Sequence, residues 1–104
     1  MRMEAGPELD ALIAEKVMRF KGQEDQKVWL YSTDIHAAAY VLARMDDTHE
    51  VNMKRRKQYD IEKDQTITGW YVLFMPWDGG SGVQATAQTL PHAICLAALN
   101  AMES

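Results

Sequence analysis

The stretch GWYVLFMPWDGGSGVQATAQT, residues 69–89, passes from an unbroken apolar run through a glycine-rich break into strict alternation. Nearly every side chain of GWYVLFM is apolar, which suits a central strand covered on both faces better than an edge strand. Pro76 cannot donate to a ladder and WDGGSG has turn chemistry, so the first strand ends there. Beyond the turn, Val83, Ala85 and Ala87 share one face while Gln84, Thr86 and Gln88 share the other, as in a half-exposed strand. This part of the chain is therefore sheet.

Working upstream, HEVNMKRRKQY predicts another strand over about 50–59, and the strand containing GWYVLFM spans about 67–75. The polar DIEKDQ between them makes the pair a hairpin with a longer loop. Downstream, LPHAICLAALNAMES has Pro91 in its first turn and almost no charge, which reads as a largely buried helix. At the start of the chain, Gly6-Pro7, the acids Glu8 and Asp10, and the apolar spacing of Leu9, Leu12, Ile13, Val17 and Phe20 predict a helix over 7–21. KVWLYS, residues 27–32, then alternates as a short strand.

The segment YSTDIHAAAYVLARM, residues 31–45, holds Ser32, Asp34 and His36 close together, raising the question of a hydrolytic triad. Ile35, Ala38, Ala39, Leu42 and Met45 have helical spacing, so Ser32, Thr33 or Asp34 stands where first-turn amides need acceptors. A triad needs a base that reaches the nucleophile and is oriented by an acid, whereas residues two apart on a helix point in different directions. Helix capping is the reading adopted. The element order is α, β, α, β, β, β, α: a single α+β domain, residues 1–104, with a mixed, mainly antiparallel four-stranded sheet and helices covering its faces.

A chain of 104 residues supports one core and little further elaboration, so function is expected on the surface. A net charge of −4 argues against general nucleic-acid binding over a broad face. The single cysteine, Cys95, rules out an internal disulfide and a cysteine-rich metal site, and in AICLAAL it reads as an inert buried thiol. The opening MRMEAGPELDALI lacks the apolar core of a signal peptide, and no run is long enough to span a membrane. A cytoplasmic location is expected.

Three stretches, GPELDALIAEKVM, YSTDIHAAAYVL and LPHAICLAAL, resemble a family of small phage and prophage proteins described as an α/β/α (ABA) sandwich domain. The similar pieces are helix starts and core faces and together span nearly the whole chain; the region between Glu50 and Gly82 is where this sequence departs. The resemblance implies the sandwich-like fold, a phage origin and hence the host-cell cytoplasm. About function it implies little beyond what holds for phage accessory genes of this size, which often encode binders of host proteins, inhibitors of bacterial defence such as anti-CRISPR proteins included.

The sharpest local feature is the cation run Lys54, Arg55, Arg56 and Lys57, followed by Tyr59. On a strand Lys54 and Arg56 share one face while Arg55 and Lys57 share the other. At most two cations per face make a weak phosphate track, and a charged edge guarded against aggregation is the plain structural reading. If the run is functional, it contacts an acidic protein surface or a nucleic-acid backbone, with Arg55 and Arg56 as anchors. The order of the second half invites comparison with a double-stranded RNA-binding domain, but its final helix has no lysine or arginine to hold phosphate. Trp77, between Pro76 and Asp78, is the exposed aromatic candidate for an interface, and Trp70 and Tyr71 suit the strand core. DGGSG lacks the lysine and helix of a P-loop.

His36, His49 and His92 lack the spacing of a helical metal site. Asp46, Asp47, Glu50, Asp60, Glu62 and Asp64 are expected in solvated loops and turns. No constellation supplies nucleophile, base and orienter, so no enzymatic activity, metal or cofactor is expected. The leading expectation is a binding protein occupying a host-protein surface, with a defence complex among the candidate targets, through Lys54, Arg55, Arg56, Lys57, Tyr59 and Trp77. Nucleic-acid or nucleotide binding by the same basic strand is the second reading. A structural homo-oligomer or phage-assembly subunit is the third, since a two-fold dimer would double the strand into a wider basic groove.

Overall fold

The structure, a computed structural model, describes residues 4–18, 30–62 and 64–103, and of residues 58–60, 65, 67 and 103 the backbone alone. Gly6 precedes the first helix with φ 151°, a conformation that only glycine adopts readily. Pro7 then supplies the preset φ of a first helical turn. Helix α1, Pro7–Leu12, passes directly into a π-helical turn, Ile13–Val17, closed by the Met18 amide donating to the Ile13 carbonyl at 2.9 Å. Leu9, Ile13 and Val17 are all buried, so the apolar stripe survives the change of helix type. Of the predicted helix over 7–21, residues 19–21 lie outside the described residues.

The expected strand over 27–32 is corrected where it can be seen. Residues 27–29 lie outside the described residues, and residues 30–33 form a turn in which the Thr33 and Asp34 amides donate to the Leu30 carbonyl at 3.2 and 2.9 Å. Leu30 is 58% exposed, whereas Tyr31 and Ser32 are buried. The chain turns because Ser32 is drawn inward to partners on α1, described below, and because helix α2, Ile35–Asp46, starts immediately afterwards. Asp34 caps that helix: its carboxylate accepts the His36 amide at 2.9 Å and its carbonyl accepts the Ala38 amide.

Strands β1, His49–Asp60, and β2, Gln65–Pro76, form a long antiparallel hairpin, and β3, Val83–Ala87, pairs antiparallel with residues 70–74. Among the described residues the sheet is therefore three-stranded, in the order β1-β2-β3, rather than four-stranded. Asp64, with φ 49°, takes the left-handed position in the hairpin connection, which aspartate tolerates better than most residues. β2 is central, as its apolar run predicts. Helix α3 covers Leu90–Glu103.

The register assigns the faces. Val51, Phe74 and Val83 lie side by side on one face, as do Met53, Val72 and Ala85; Val72 and Phe74 are fully buried there under the helices. The opposite face carries Glu50 with Met75, Asn52 with Leu73 and Gln84, and Lys54 with Tyr71 and Thr86. None of these residues is buried. The expectation that β2 is covered on both faces, in a sandwich-like arrangement, is thus met on one face only among the described residues.

The cause lies in where the first helix packs. α2 and α3 touch each other and the sheet, whereas α1 and the π-helical turn pack on α3. α3 is consequently enclosed between the sheet and the N-terminal segment, and residues 93–99 are buried without interruption. Its Ala93, Ala97 and Ala98 allow close approach on more than one side. Burial of Ile94 and Phe74 contributes about 1.5–3 kcal/mol per side chain. The layers run sheet, α2 with α3, then α1 with the π-helical turn.

Candidate functional site

The hairpin outgrows the layers that support it. β3 reaches only to Trp70, so from Arg56, opposite Gly69, to Asp60, opposite Gln65, β1 and β2 form a two-stranded ribbon. At ~3.4 Å per residue the ribbon extends about 15 Å past β3. Gly69 marks the point of departure: a Cβ there would stand 3.0 Å from the Ala87 carbonyl oxygen at the end of β3.

The four cations stand where the ribbon leaves the sheet, and all are exposed. Lys54 lies opposite Tyr71, Arg55 opposite Trp70, Arg56 opposite Gly69 and Lys57 opposite Thr68. The alternation read from the sequence holds, with Lys54 and Arg56 on the open face. Arg56 folds back diagonally, its guanidinium carbon 5.0 Å from the centre of the Tyr71 ring, an attraction of about 0.5–1 kcal/mol at an exposed site. The Tyr71 hydroxyl in turn donates to the Gln84 side chain. Arg56, Tyr71 and Gln84 thereby link all three strands across the open face. Lys54, Arg55 and Lys57 form no ion pair among the described residues. Tyr59 belongs to β1 opposite Thr66, and its side chain lies outside the described residues.

Trp77 is at the other end of the hairpin. It is 61% exposed, yet held at two points: its amide donates to the Thr48 carbonyl and its indole N–H to the Asp46 carbonyl, each at 3.0 Å. The ring is therefore fixed against the end of α2 with an open apolar surface. Met75, on the open face, is exposed as well. Pro76 pairs with His49, and the strand rise puts the Trp77 end about 20 Å from Arg55. The structure does not bring Trp77 and the cations into one patch.

Asp10, read from the sequence as a helix-dipole acid, is 1% exposed. One of its carboxylate oxygens accepts both the Ser32 amide at 2.8 Å and the Ser32 hydroxyl at 2.6 Å. The same hydroxyl accepts the Gly6 amide at 2.9 Å. A buried carboxylate is tolerable only with such partners, and these bind the N-terminal helix to the entrance of α2. The available signal was position: Asp10 is three residues before Ile13 and seven before Val17, hence on the apolar face. Cys95 is buried, and burial first, then the Asp10 charge, pushes its thiol well above the usual range. Burial, followed by the charges of Cys95 and Asp10, likewise raises the Tyr31 hydroxyl.

Ser32, Asp34 and His36 thus have separate partners. Ser32 serves Asp10, and Asp34 accepts from the main chain of His36 rather than its ring. His49 bonds Thr48 and meets Phe74 edge-on at 6.1 Å. Asp46 lies on α2, and Glu50 and Asp60 lie on β1 rather than in loops. Among the described residues no three His, Cys, Asp or Glu side chains converge as a metal site, and no helix is long and apolar enough to cross a membrane. A groove of about 250 Å³ lined by Val17, Arg44, Asp47, Thr48 and Met102 falls below the usual ligand-pocket range of roughly 300–1,000 Å³.

These features define a small α+β domain whose distinctive surface is a projecting basic hairpin. The chain belongs to the phage ABA sandwich domain family, whose sequence model matches residues 11–99, a range that includes α2, the whole sheet and most of α3. No curated protein and no solved structure matches it.

Proposed function

We propose that this phage-family domain is a non-enzymatic binding protein that occupies a surface of a host protein, a component of a bacterial defence system being the target class, as for an anti-CRISPR protein. The observation that carries this reading is the set of exposed cations Lys54, Arg55 and Lys57, which form no ion pair among the described residues, on a hairpin that projects beyond its supporting layers. A charged side chain without a partner is free to meet one, and Arg55 and Arg56 have the planar donors that engage carboxylates. Exposed Glu50 and Glu62 bracket the cations, which confines the positive field to a short window. Such confinement suits a discrete acidic patch better than a run of phosphates.

Trp77, fixed by its two hydrogen bonds, serves as a second anchor. An interface of ordinary size covers about 800 Å² per partner, wide enough to reach both the cations and Trp77. The test is affinity purification of the tagged protein from host lysate, with and without nuclease, read by mass spectrometry. A stoichiometric host protein that survives nuclease and is lost with Arg55→Ser/Arg56→Ser and with Trp77→Ala supports the reading. A basic two-stranded ribbon is also of a size that the major groove admits; recovery of nuclease-sensitive material alone would replace the host-protein reading with nucleic-acid binding.

A further inference from the structure

We infer that the outer edge of β1 is a docking strand, and that its occupant is an extended acidic segment of a partner protein added to the sheet beside β1. This rests on the reading of the domain as a protein binder and specifies the partner's chemistry and mode of attachment. β1 runs from His49 to Asp60, and among the described residues it has a hydrogen-bonded neighbour on one side only. In an antiparallel ladder every second residue of such a strand turns its N–H and C=O outward, ready for another strand.

The side chains then select what can be added. Lys54 and Arg56 stand above the strand on the open face, and Arg55 and Lys57 stand below it. An added strand alternates in the same way, so consecutive carboxylates on it meet cations on both faces. Each opposite-charge cross-strand pair contributes about 0.2–1 kcal/mol. Exposed Glu50 lies toward the near end of β1 and repels an acidic segment, which holds the register near the cations.

The same charges exclude the other ready occupant, a second copy of the chain. Full-length antiparallel pairing of β1 with itself places Lys54 opposite Arg55, and a shift by one residue in either direction still puts cation opposite cation, in one case Lys54 with Lys54 and in the other Arg55 with Arg55. Like charges directly opposite are destabilising. Cations on an edge strand are a known guard against unwanted pairing; here the guard discriminates by sign.

The experiment uses the full chain and a fluorescent, end-blocked peptide bearing a run of glutamates between Thr-Val flanks, read by anisotropy. Four companions are a lysine version, two versions N-methylated at alternate amides, one along each edge, and a short DNA duplex. The acidic peptide is expected to bind and the lysine peptide not. N-methylation of one edge alone is expected to abolish binding, because only that edge faces β1. Arg55→Glu/Arg56→Glu is expected to weaken binding by about tenfold or more, equivalent to about 1.4 kcal/mol. Amide exchange should slow at alternate β1 residues when the peptide is bound.

Equal binding of the N-methylated peptides would overturn strand addition, leaving charge attraction alone. No binding at millimolar peptide, or preference for the duplex, would overturn the acidic-segment partner. The peptide assay needs no host component, so it separates the two ideas. Lysate capture that depends on Trp77 while the peptide fails would sink strand addition and spare the host-protein reading; peptide binding with no host protein captured would do the reverse.

Discussion

The N-terminal half of the molecule and the β1–β2 hairpin treat charge in opposite ways. Around α3, one carboxylate, Asp10, is enclosed with a serine hydroxyl and amide as partners, and its surroundings are side chains of zero or near-zero exposure. On the hairpin, four cations in succession stand in solvent, and of these Arg56 has its contact on Tyr71. The first arrangement binds one segment of the chain to another. The second leaves electrostatic capacity unused by the described fold, so the buried and the solvent-facing charges are concentrated in different regions.

That contrast is broken most severely by Asp10→Ala, which strands the Ser32 amide in the interior and takes from its hydroxyl the closest acceptor. A loss of about 2–3 kcal/mol is expected from chemical denaturation, or at least ~8 °C in melting temperature, together with faster labelling of Cys95 by a thiol reagent. A cost under ~1 kcal/mol would mean that the enclosed carboxylate is not a principal constraint. Ala97→Leu tests the enclosure of α3 itself. Overpacking a helix held on more than one side should cost about 1–3 kcal/mol, and a neutral result would show room that the burial of residues 93–99 does not suggest.

The interior also responds to pH. Burial and Asp10 hold the Cys95 thiol protonated in the folded chain, whereas the unfolded chain ionises it near its ordinary range. The folded value is the higher one, so this stability is present at neutral pH and declines as pH rises past the unfolded value, by up to about 1.4 kcal/mol per pH unit. Tyr31 adds to the decline at still higher pH. Urea titrations between pH 7 and 10 should show it, and Cys95→Ala should reduce it.

Asp34→Ala removes the cap of α2 and is expected to cost about 1 kcal/mol, with Asp34→Ser recovering most of it. On the hairpin, Arg55→Ser/Lys57→Ser should leave the denaturation midpoint within ~0.5 kcal/mol of the parent. A larger loss would mean that these cations stabilise the fold and that the division between the two regions is false.

Several elements were legible because their cause is local. Asp34 precedes a helical apolar pattern, Pro76 and the glycines after it end a strand, and VQATA alternates; each needs only its near neighbours to be read. LPHAICLAAL announced a largely buried helix through its lack of charge. KVWLYS misled over residues 30–32 because its alternation arises from Tyr31 facing the core at a turn while Leu30 faces solvent. GWYVLFM misled more subtly. Its position at the centre of the sheet is real, but Tyr71, Leu73 and Met75 lie on a face that no described helix covers.

The candidate site divides in the same manner. The cation run and its alternation are sequence properties, since a strand's period of two fixes them once the strand is granted. That Arg56 rests on Tyr71, that Tyr71 reaches Gln84, and that Trp77 lies about 20 Å from Arg55 depend on register and on strand length between elements, which no short window contains.

By itself the sequence determined the fold class, the hairpin, the cap of α2 and the clustering of positive charge, because periodicity, proline, glycine and charge act within a few residues along the chain. Tertiary structure alone decided that Asp10 belongs to the interior, that α1 packs on α3 instead of the open face of the sheet, and that the basic strand forms an edge among the described residues. Those outcomes turn on which apolar surfaces meet across long loops, a competition among distant contacts settled only when the whole core closes.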